Sequence, residues 1–207
     1  VLPYEYAGFK NYPTFLQRKE KIYGLLQDAD TLVCGHATMN DVKYLNLESK
    51  RFSLPSFHFE FADTQFVYMN RKGDFSRQFG LGAIAEELGV EFTAHCAVDD
   101  AYATMKVAEA MCKEEGLTFV QLLEKYEITL GTIADYEITQ MSSTALVEYK
   151  AAQERRKEER EQKKAEFYEG CIIEYEAILR FIDRLYQYAL TKTHEKAKAY
   201  GIQTAET

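Results

Sequence analysis

The short apolar run TLVCGH, residues 31–36, constrains the fold of this chain more than any other segment. It follows the turn-forming residues Asp28 and Asp30, it includes Gly35, and a helical pattern resumes from Asn40. A short apolar run between turn signals is typical of a buried strand in a mostly parallel sheet. The segment therefore predicts a strand, a tight turn and a helix, which are the repeating elements of an α/β fold.

Two further elements flank this unit. Apolar residues at helical spacing predict an amphipathic helix over residues 15–26, entered through Pro13 and Thr14. Alternating apolar and polar residues predict a strand from about Phe57 to Phe61, which leads to Asp63 and Thr64. A loop should follow, with Asn70, Gly73 and Asp74 as its members.

The next segment is predicted to contain two helices that each end at a glycine. The first covers Leu81 to Leu88 and stops at Gly89, and the second runs from about Val98 to Glu115 and stops at Gly116. The second helix should bury a stripe formed by Ala101, Met105, Ala108 and Cys112.

The character of the chain changes after Tyr126. Glu127 to Met141 shows no clear period and is interpreted as a connector, whereas Gln153 to Glu166 mixes both charge signs without a large apolar residue, as in a solvated helix. An apolar stripe returns from Phe167 to Ala189. We therefore expect an α/β domain over residues 1–126 and, over residues 127–207, a connector and a long helical extension open to a protein partner or to self-association.

Composition excludes several classes of protein. A net charge of -8 argues against broad capture of polyanions, so that contact with nucleic acid has to be local or mediated by metal ions. The cysteines form no C-x-x-C pair and favour reduced thiols in the cytoplasm. No apolar run reaches the length of roughly 18 residues that a membrane span requires, so no membrane association is expected.

Two histidine-x4-aspartate motifs are the candidates for chemistry. In GHATMNDVKYL, His36 precedes Asp41 at the predicted start of a helix, and in AHCAVDDA, His95 precedes Asp100 in the same way. A carboxylate in this position can bind a hard cation such as Mg²⁺, and a neutral histidine beside it can act as a general base. Each motif alone is better explained by a capped helix start, with His36 as a satisfied turn histidine in the first motif.

Taken in series, the motifs resemble a known family. GHATMNDVKYL, then FADT, then LGAIAEELGVEFTAHCAVDDAYAT are similar to the second and third motifs of the DEDDh 3′–5′ exonucleases, the group of ribonuclease T, oligoribonuclease and the proofreading subunit of bacterial DNA polymerase III. The resemblance covers roughly residues 13 to 115.

The resemblance implies a ribonuclease H-like fold and hydrolysis of phosphodiester bonds at the 3′ ends of single-stranded DNA or RNA. It also implies a two-metal site for Mg²⁺ or Mn²⁺, in which Asp41 and Asp100 are metal ligands and His95 is the general base. His36 is the candidate substrate-binding residue. In the family's scheme four carboxylates hold the two ions.

The chain also departs from the family pattern. Ala37 and Asn40 stand where the family usually has an asparagine and an aromatic residue. The first motif, Asp-x-Glu, has no counterpart before the second, so we expect the N-terminal strands of the family fold to be missing from this chain. Asp135-Tyr136-Glu137 is the sole Asp-x-Glu in the sequence, and an exposed connector is favoured there over a circularly permuted site.

Three functions follow as expectations. The first is a metal-dependent 3′–5′ exonuclease, and the second is a catalytically incompetent exonuclease-like module that acts in protein interaction. The third is an unrelated α/β domain with chance motifs, which predicts that Asp41 and Asp100 lie far apart.

Overall fold

The structure is a computed structural model that describes residue 8, residues 11–91 and residues 97–201. Its described elements are, in chain order, α1 (Phe15–Leu26), β1 (Val33–Gly35), α2 (Met39–Arg51), β2 (Phe59–Asp63), α3 (Thr64–Lys72), α4 (Leu81–Glu87), α5 (Ala97–Glu115), α6 (Phe119–Lys125), β3 (Ile128–Thr129), β4 (Gly131–Ala134), β5 (Glu137–Thr139), β6 (Ser142–Ser143) and α7 (Thr144–Ala199). The predicted α/β class is confirmed.

The main sheet has the strand order β1-β2-β4-β5. β1 and β2 are parallel and align Gly35 with Asp63, so both strands end at the same edge of the sheet. β4 runs antiparallel to β2 and aligns Gly131 with Phe61. Because β1 and β2 are each followed directly by a helix, the side chains at this common edge are the natural place for a site.

The core formed by the described residues consists of two clusters. One cluster is formed by the four helices α3, α4, α5 and α6. It contains Val67, Tyr68, Ile84, Ala85, Val107, Met111, Leu122 and Leu123. The other joins α2 to β2 and β4 through Val42, Phe57, Phe61 and Ile133, and apolar residues of α1 pack against it. Tyr23 of α1 stacks on Phe57 with ring centroids 4.0 Å apart. The amphipathic pattern of α1 thus serves to cover the sheet.

Helix termini follow the sequence signals. Thr14 caps α1 by accepting a hydrogen bond from the N–H of Gln17, whose side chain in turn accepts from the N–H of Thr14. Gly73, Gly89 and Gly116 all have positive φ, the backbone conformation in which glycine avoids steric cost. The predicted ends of α4 and α5 are confirmed.

The predicted loop through Asn70 is wrong, because that residue lies in α3. The Asp63 side chain caps this helix at its N-terminus and Gly73 ends it, so Gly73 and Asp74 do follow the helix. Asn70 is buried and donates to the carbonyl of Phe66 one turn earlier. The predicted strand at Phe57–Phe61 is displaced to Phe59–Asp63.

The connector predicted over Glu127–Met141 contains strands. β4 and β5 form a hairpin in which Ala134 faces Glu137, and Asp135 and Tyr136 supply the two turn residues with φ of 51° and 62°. Since β4 hydrogen-bonds with β2, the first compact unit extends over Val1–Lys150, beyond the boundary predicted at residue 126. The second unit is Ala151–Thr207.

The hairpin also decides the position of the lone Asp-x-Glu. Ile133 pairs with Phe59 at the start of β2, so the turn at Asp135 lies beyond the end of the sheet opposite to Asp63. The Asp135 side chain is 90% exposed and lies 3.7 Å from His58. A circularly permuted site is therefore incompatible with the register, and the exposed interpretation is confirmed.

Within the described residues, no helix combines the length and the apolar content needed to cross a membrane.

Candidate active site

One cavity collects the described residues of both histidine-x4-aspartate motifs. It has a volume of about 890 Å³, and His36, Asp41 and Asp100 contribute to its lining. The remaining lining residues are Leu32, Cys34, Gly35, Leu81, Ala97, Ala101, Thr104, Met105, Ala108 and Phe119. Asp41 and Asp100, 59 positions apart in sequence, thus line the same cavity, whereas a domain with chance motifs would leave them far apart.

Asp41 reaches the cavity from the first turn of α2. Partial burial raises the pKa of its carboxyl, and the charge of Asp63 adds to this effect, while a backbone hydrogen bond opposes it. The residue is still exposed to solvent. A solvent-accessible carboxylate with a raised pKa gains from a nearby cation, because the cation favours the charged form.

Asp100 reaches the cavity from the first turn of α5, beside small residues. Its own carbonyl accepts a hydrogen bond of 2.8 Å from the Thr104 hydroxyl, one turn later in the helix. The adjacent Asp99 is absent from the cavity lining. The helix therefore separates the two neighbouring aspartates into different environments, as the period of 3.6 residues requires.

The stripe predicted to be buried on α5 is wrong for three of its four residues, whereas Cys112 is partly buried and packs against the core. The difference bears on the site. The buried residues of this helix are Ala103, Thr104, Val107 and Met111. Ala101, Met105 and Ala108 instead line the cavity. Hydrophobic periodicity cannot distinguish a helix face that meets the core from one that borders a cleft. The small alanines on this face leave room for a ligand.

His36 lines the cavity, but both of its ring nitrogens have partners. Nδ1 lies 2.9 Å from the Thr64 hydroxyl, and Nε2 lies 3.0 Å from the carbonyl oxygen of Phe79. Burial lowers the pKa of the ring, against opposing effects from Asp63 and Phe79. A neutral ring that donates from Nε2 and accepts at Nδ1 fits these partners. This geometry supports the satisfied turn histidine that the sequence left open.

Asp63 supports the site from outside the cavity lining and belongs to neither histidine-x4-aspartate motif. Its Oδ1 accepts from the N–H groups of Ala37 and Gln65, and its Oδ2 accepts from that of Thr38. Burial raises the pKa of this carboxyl, and the three N–H donors and His36 act in the opposite direction. An aspartate directly after a strand and before a helix was the available signal. Asp63 thus fixes the turn from which Asp41 projects.

The turn explains one departure from the family pattern. Ala37 has a φ of 55°, a conformation that glycine and asparagine tolerate better than alanine. Asparagine is the residue that the resemblance places at this position. Ala37 therefore has a backbone conformation that asparagine would tolerate better.

The described residues contain no group of three or more His, Cys, Asp or Glu side chains arranged to hold a metal ion. Two carboxylates suit one Mg²⁺, which is commonly bound through one or two protein carboxylates and substrate phosphate. His95 lies outside the described residues, so its position relative to Asp41 and Asp100 stays a prediction.

The fold and the cavity define an α/β domain with a cleft at the end of β1, to whose lining Asp41 and Asp100 contribute. The exonuclease family model matches residues 6–108, which include β1, β2 and both aspartates. This region of the chain belongs to the exonuclease family, and it is a nuclease domain of the ribonuclease H-like type. Members of the family generally use divalent metal ions and act on nucleic acids. Comparison with curated proteins and with solved structures gave no match.

Proposed function

We propose that this chain is a metal-dependent 3′–5′ exonuclease that removes nucleotides from the 3′ ends of single-stranded DNA or RNA. The observation that carries the proposal is the presence of Asp41 and Asp100 in the lining of one cavity. The family match supports the nuclease chemistry, and the resemblance supports the 3′–5′ direction.

Asp41 and Asp100 would hold a divalent cation, Mg²⁺ or Mn²⁺, together with oxygens of the substrate phosphate. When bound, such an ion polarises the phosphodiester and offsets the negative charge of the transition state. It would also allow a cleft in an acidic protein to accept a polyanion. The two-metal arrangement of the family requires further carboxylates besides these two.

Three residues have distinct roles in this proposal. His95 would accept the proton of the attacking water, since an imidazole with an unperturbed pKa of about 6.5 suits a general base at neutral pH. Asp63 would hold the turn that carries Asp41. His36 would shape the wall through its ring, because its nitrogens are engaged with Thr64 and Phe79.

The direct test is digestion of 3′-labelled and 5′-labelled single-stranded DNA and RNA in the presence of Mg²⁺ or Mn²⁺. Release of labelled mononucleotide from the 3′ end, with progressive shortening of the 5′-labelled strand, is expected. A chelator should abolish it. Absence of mononucleotide release by the chain at any metal concentration would contradict the proposal.

A second candidate is a catalytically incompetent module that acts in protein interaction. It is favoured by one observation, namely that no third carboxylate of the described residues joins Asp41 and Asp100 in the cavity. Calorimetry with Mn²⁺ separates the two candidates. Binding that is lost in Asp100→Ala supports the enzyme, and absence of binding supports the module.

We also propose a cytoplasmic location, because the free thiols of Cys34, Cys112 and Cys171 suit a reducing compartment.

A further inference from the structure

The second compact unit exposes an unusually large apolar surface on one helix. Twelve large apolar side chains of α7 between Phe167 and Tyr188 are each 47–68% exposed. At roughly 100 Å² each they expose more than about 1,000 Å², whereas the largest patch on a typical monomer is about 300–600 Å². A standard interface buries about 800 Å² per partner, so the surface is large enough for a stable one.

Four of the twelve, Tyr175, Ile178, Ile182 and Leu185, lie in a seam of alternating three- and four-residue spacing. The seam comprises Cys171, Tyr175, Ile178, Ile182, Leu185 and Ala189. Such spacing keeps one face of a helix directed toward a partner helix over several turns. Arg180 and Gln187 lie on the polar side of the helix. Arg180 pairs there with Glu176 at 3.6 Å.

We propose that this seam pairs antiparallel with the same seam of a second copy of the chain. The midpoint of the pairing along the sequence is position 180. In that register Cys171 faces Ala189, Tyr175 faces Leu185, and Ile178 faces Ile182. Small side chains therefore meet small ones at the ends, and large side chains meet large ones between them. Layers matched in this way fill the interface without cavities or overpacking.

Charge selects the antiparallel orientation over the parallel one. Continuation of the seam toward the N-terminus passes through Glu154, Lys157, Glu161 and Lys164, all in the exposed charged part of α7. A parallel pair in register would place each of these residues against its own copy, and like charges in a seam are destabilising. The antiparallel pair leaves the two charged segments at opposite ends of the interface, where within α7 only Lys164 and Lys196 bring like charges together.

The first test is the mass of the full chain in solution by sedimentation equilibrium. A dimer, or a larger assembly of dimers, is expected, and the double variant Ile178→Asp with Ile182→Asp should be monomeric. The matched control is Gln187→Asp with Thr191→Asp, which adds the same charge on the other side of the same helix and should keep the parent mass. A monomeric parent, or a control that dissociates like the seam variant, overturns the proposal.

The second test reads the orientation through a thiol that is already present. Mild oxidation of Ala189→Cys should link two chains between position 189 of one copy and Cys171 of the other, because facing positions in a seam are close enough for a disulfide. The link should disappear when Cys171→Ser is added. Linkage of the parent that requires Cys171 alone would indicate a parallel pair and overturn the antiparallel arrangement.

Discussion

The carboxylate of Asp63 accepts a hydrogen bond of 2.9 Å from the main-chain N–H of Thr38, and this bond ties the end of β2 to the start of α2. The Thr38 hydroxyl donates to the carbonyl of Ala62, also at 2.9 Å, so the two segments are joined in both directions. The position of Asp41 three residues later depends on this junction.

We expect Asp63→Asn to lower the free energy of unfolding by about 1–3 kcal/mol, because an amide nitrogen cannot accept and leaves a buried N–H without a partner. Urea denaturation measures the change. Asp28→Asn is the matched control, since its carboxylate is exposed and accepts one bond from the N–H of Asp30, and a change below about 1 kcal/mol is expected there. An Asp63→Asn variant as stable as the parent would show that removal of the buried charge offsets the lost hydrogen bond.

Asp100→Asn should reduce nuclease activity by about 100-fold or more and weaken Mn²⁺ binding, because the cavity loses one of the two carboxylates that the described residues contribute. Asp99→Asn removes the same charge from the adjacent position, outside the cavity lining, and should leave activity within a few-fold of the parent. Single-turnover digestion and calorimetry give the two readouts. Equal losses in both variants would contradict the role assigned to Asp100.

Ala37→Gly should raise the free energy of unfolding by about 0.5–1 kcal/mol, since Ala37 has a φ of 55° and glycine adopts this region without strain. Ala151→Gly, at an exposed position within α7, should instead lower it by about 0.5–1 kcal/mol. Thermal denaturation of both variants tests the difference in sign. Destabilisation at position 37 would mean that the turn is not strained in the parent.

Gly131→Ala should destabilise the sheet by about 1–3 kcal/mol, because an added Cβ would lie 2.3 Å from the Phe61 ring on the neighbouring strand. Gly24→Ala is a control with the opposite sign, because position 24 lies in α1 with nothing within 4 Å and alanine is the better helix former. Denaturant midpoints compare the two. A neutral Gly131→Ala would show that β4 does not lie this close to Phe61.

Glu115 gives the fold a predictable response to acid. It accepts from Lys125 at 2.5 Å, from the Arg71 side chain at 3.0 Å and from the Tyr126 hydroxyl at 3.2 Å. The hydrogen bond from Lys125 is the largest cause of a pKa below the ordinary value of 4.5 for this carboxyl. Because the folded state then binds fewer protons than the unfolded state, this stabilisation is present above pH 4.5 and is lost as the pH falls through the folded pKa.

Glu115→Gln should therefore lower the free energy of unfolding by about 1–3 kcal/mol at neutral pH. The difference in stability from the parent should shrink at acidic pH. Denaturant titrations at several pH values measure this. Glu109→Gln removes an exposed pair with Lys106 at 2.7 Å and should change stability by less than about 1 kcal/mol throughout. A difference that persists unchanged in acid would exclude the charge of Glu115 as its origin.

Local signals in the sequence determined most of the elements. The apolar run 31–36, the capping pair Thr14 and Gln17, and the glycines that end α4 and α5 each act over a few residues, so they can be recognised from sequence. The same locality explains why Asp41 and Asp100 could be named as helix-start carboxylates.

Only the tertiary structure decided which faces and segments meet. It directed Ala101 and Met105 to the cleft, paired β4 with β2, and placed Asp63 against the turn at Ala37 and Thr38. These relationships depend on packing and hydrogen bonds between residues far apart in sequence, which periodicity and capping signals do not encode. The sequence by itself thus determined the candidate chemistry and the helices that carry it, and tertiary packing decided that the two aspartates share one cavity.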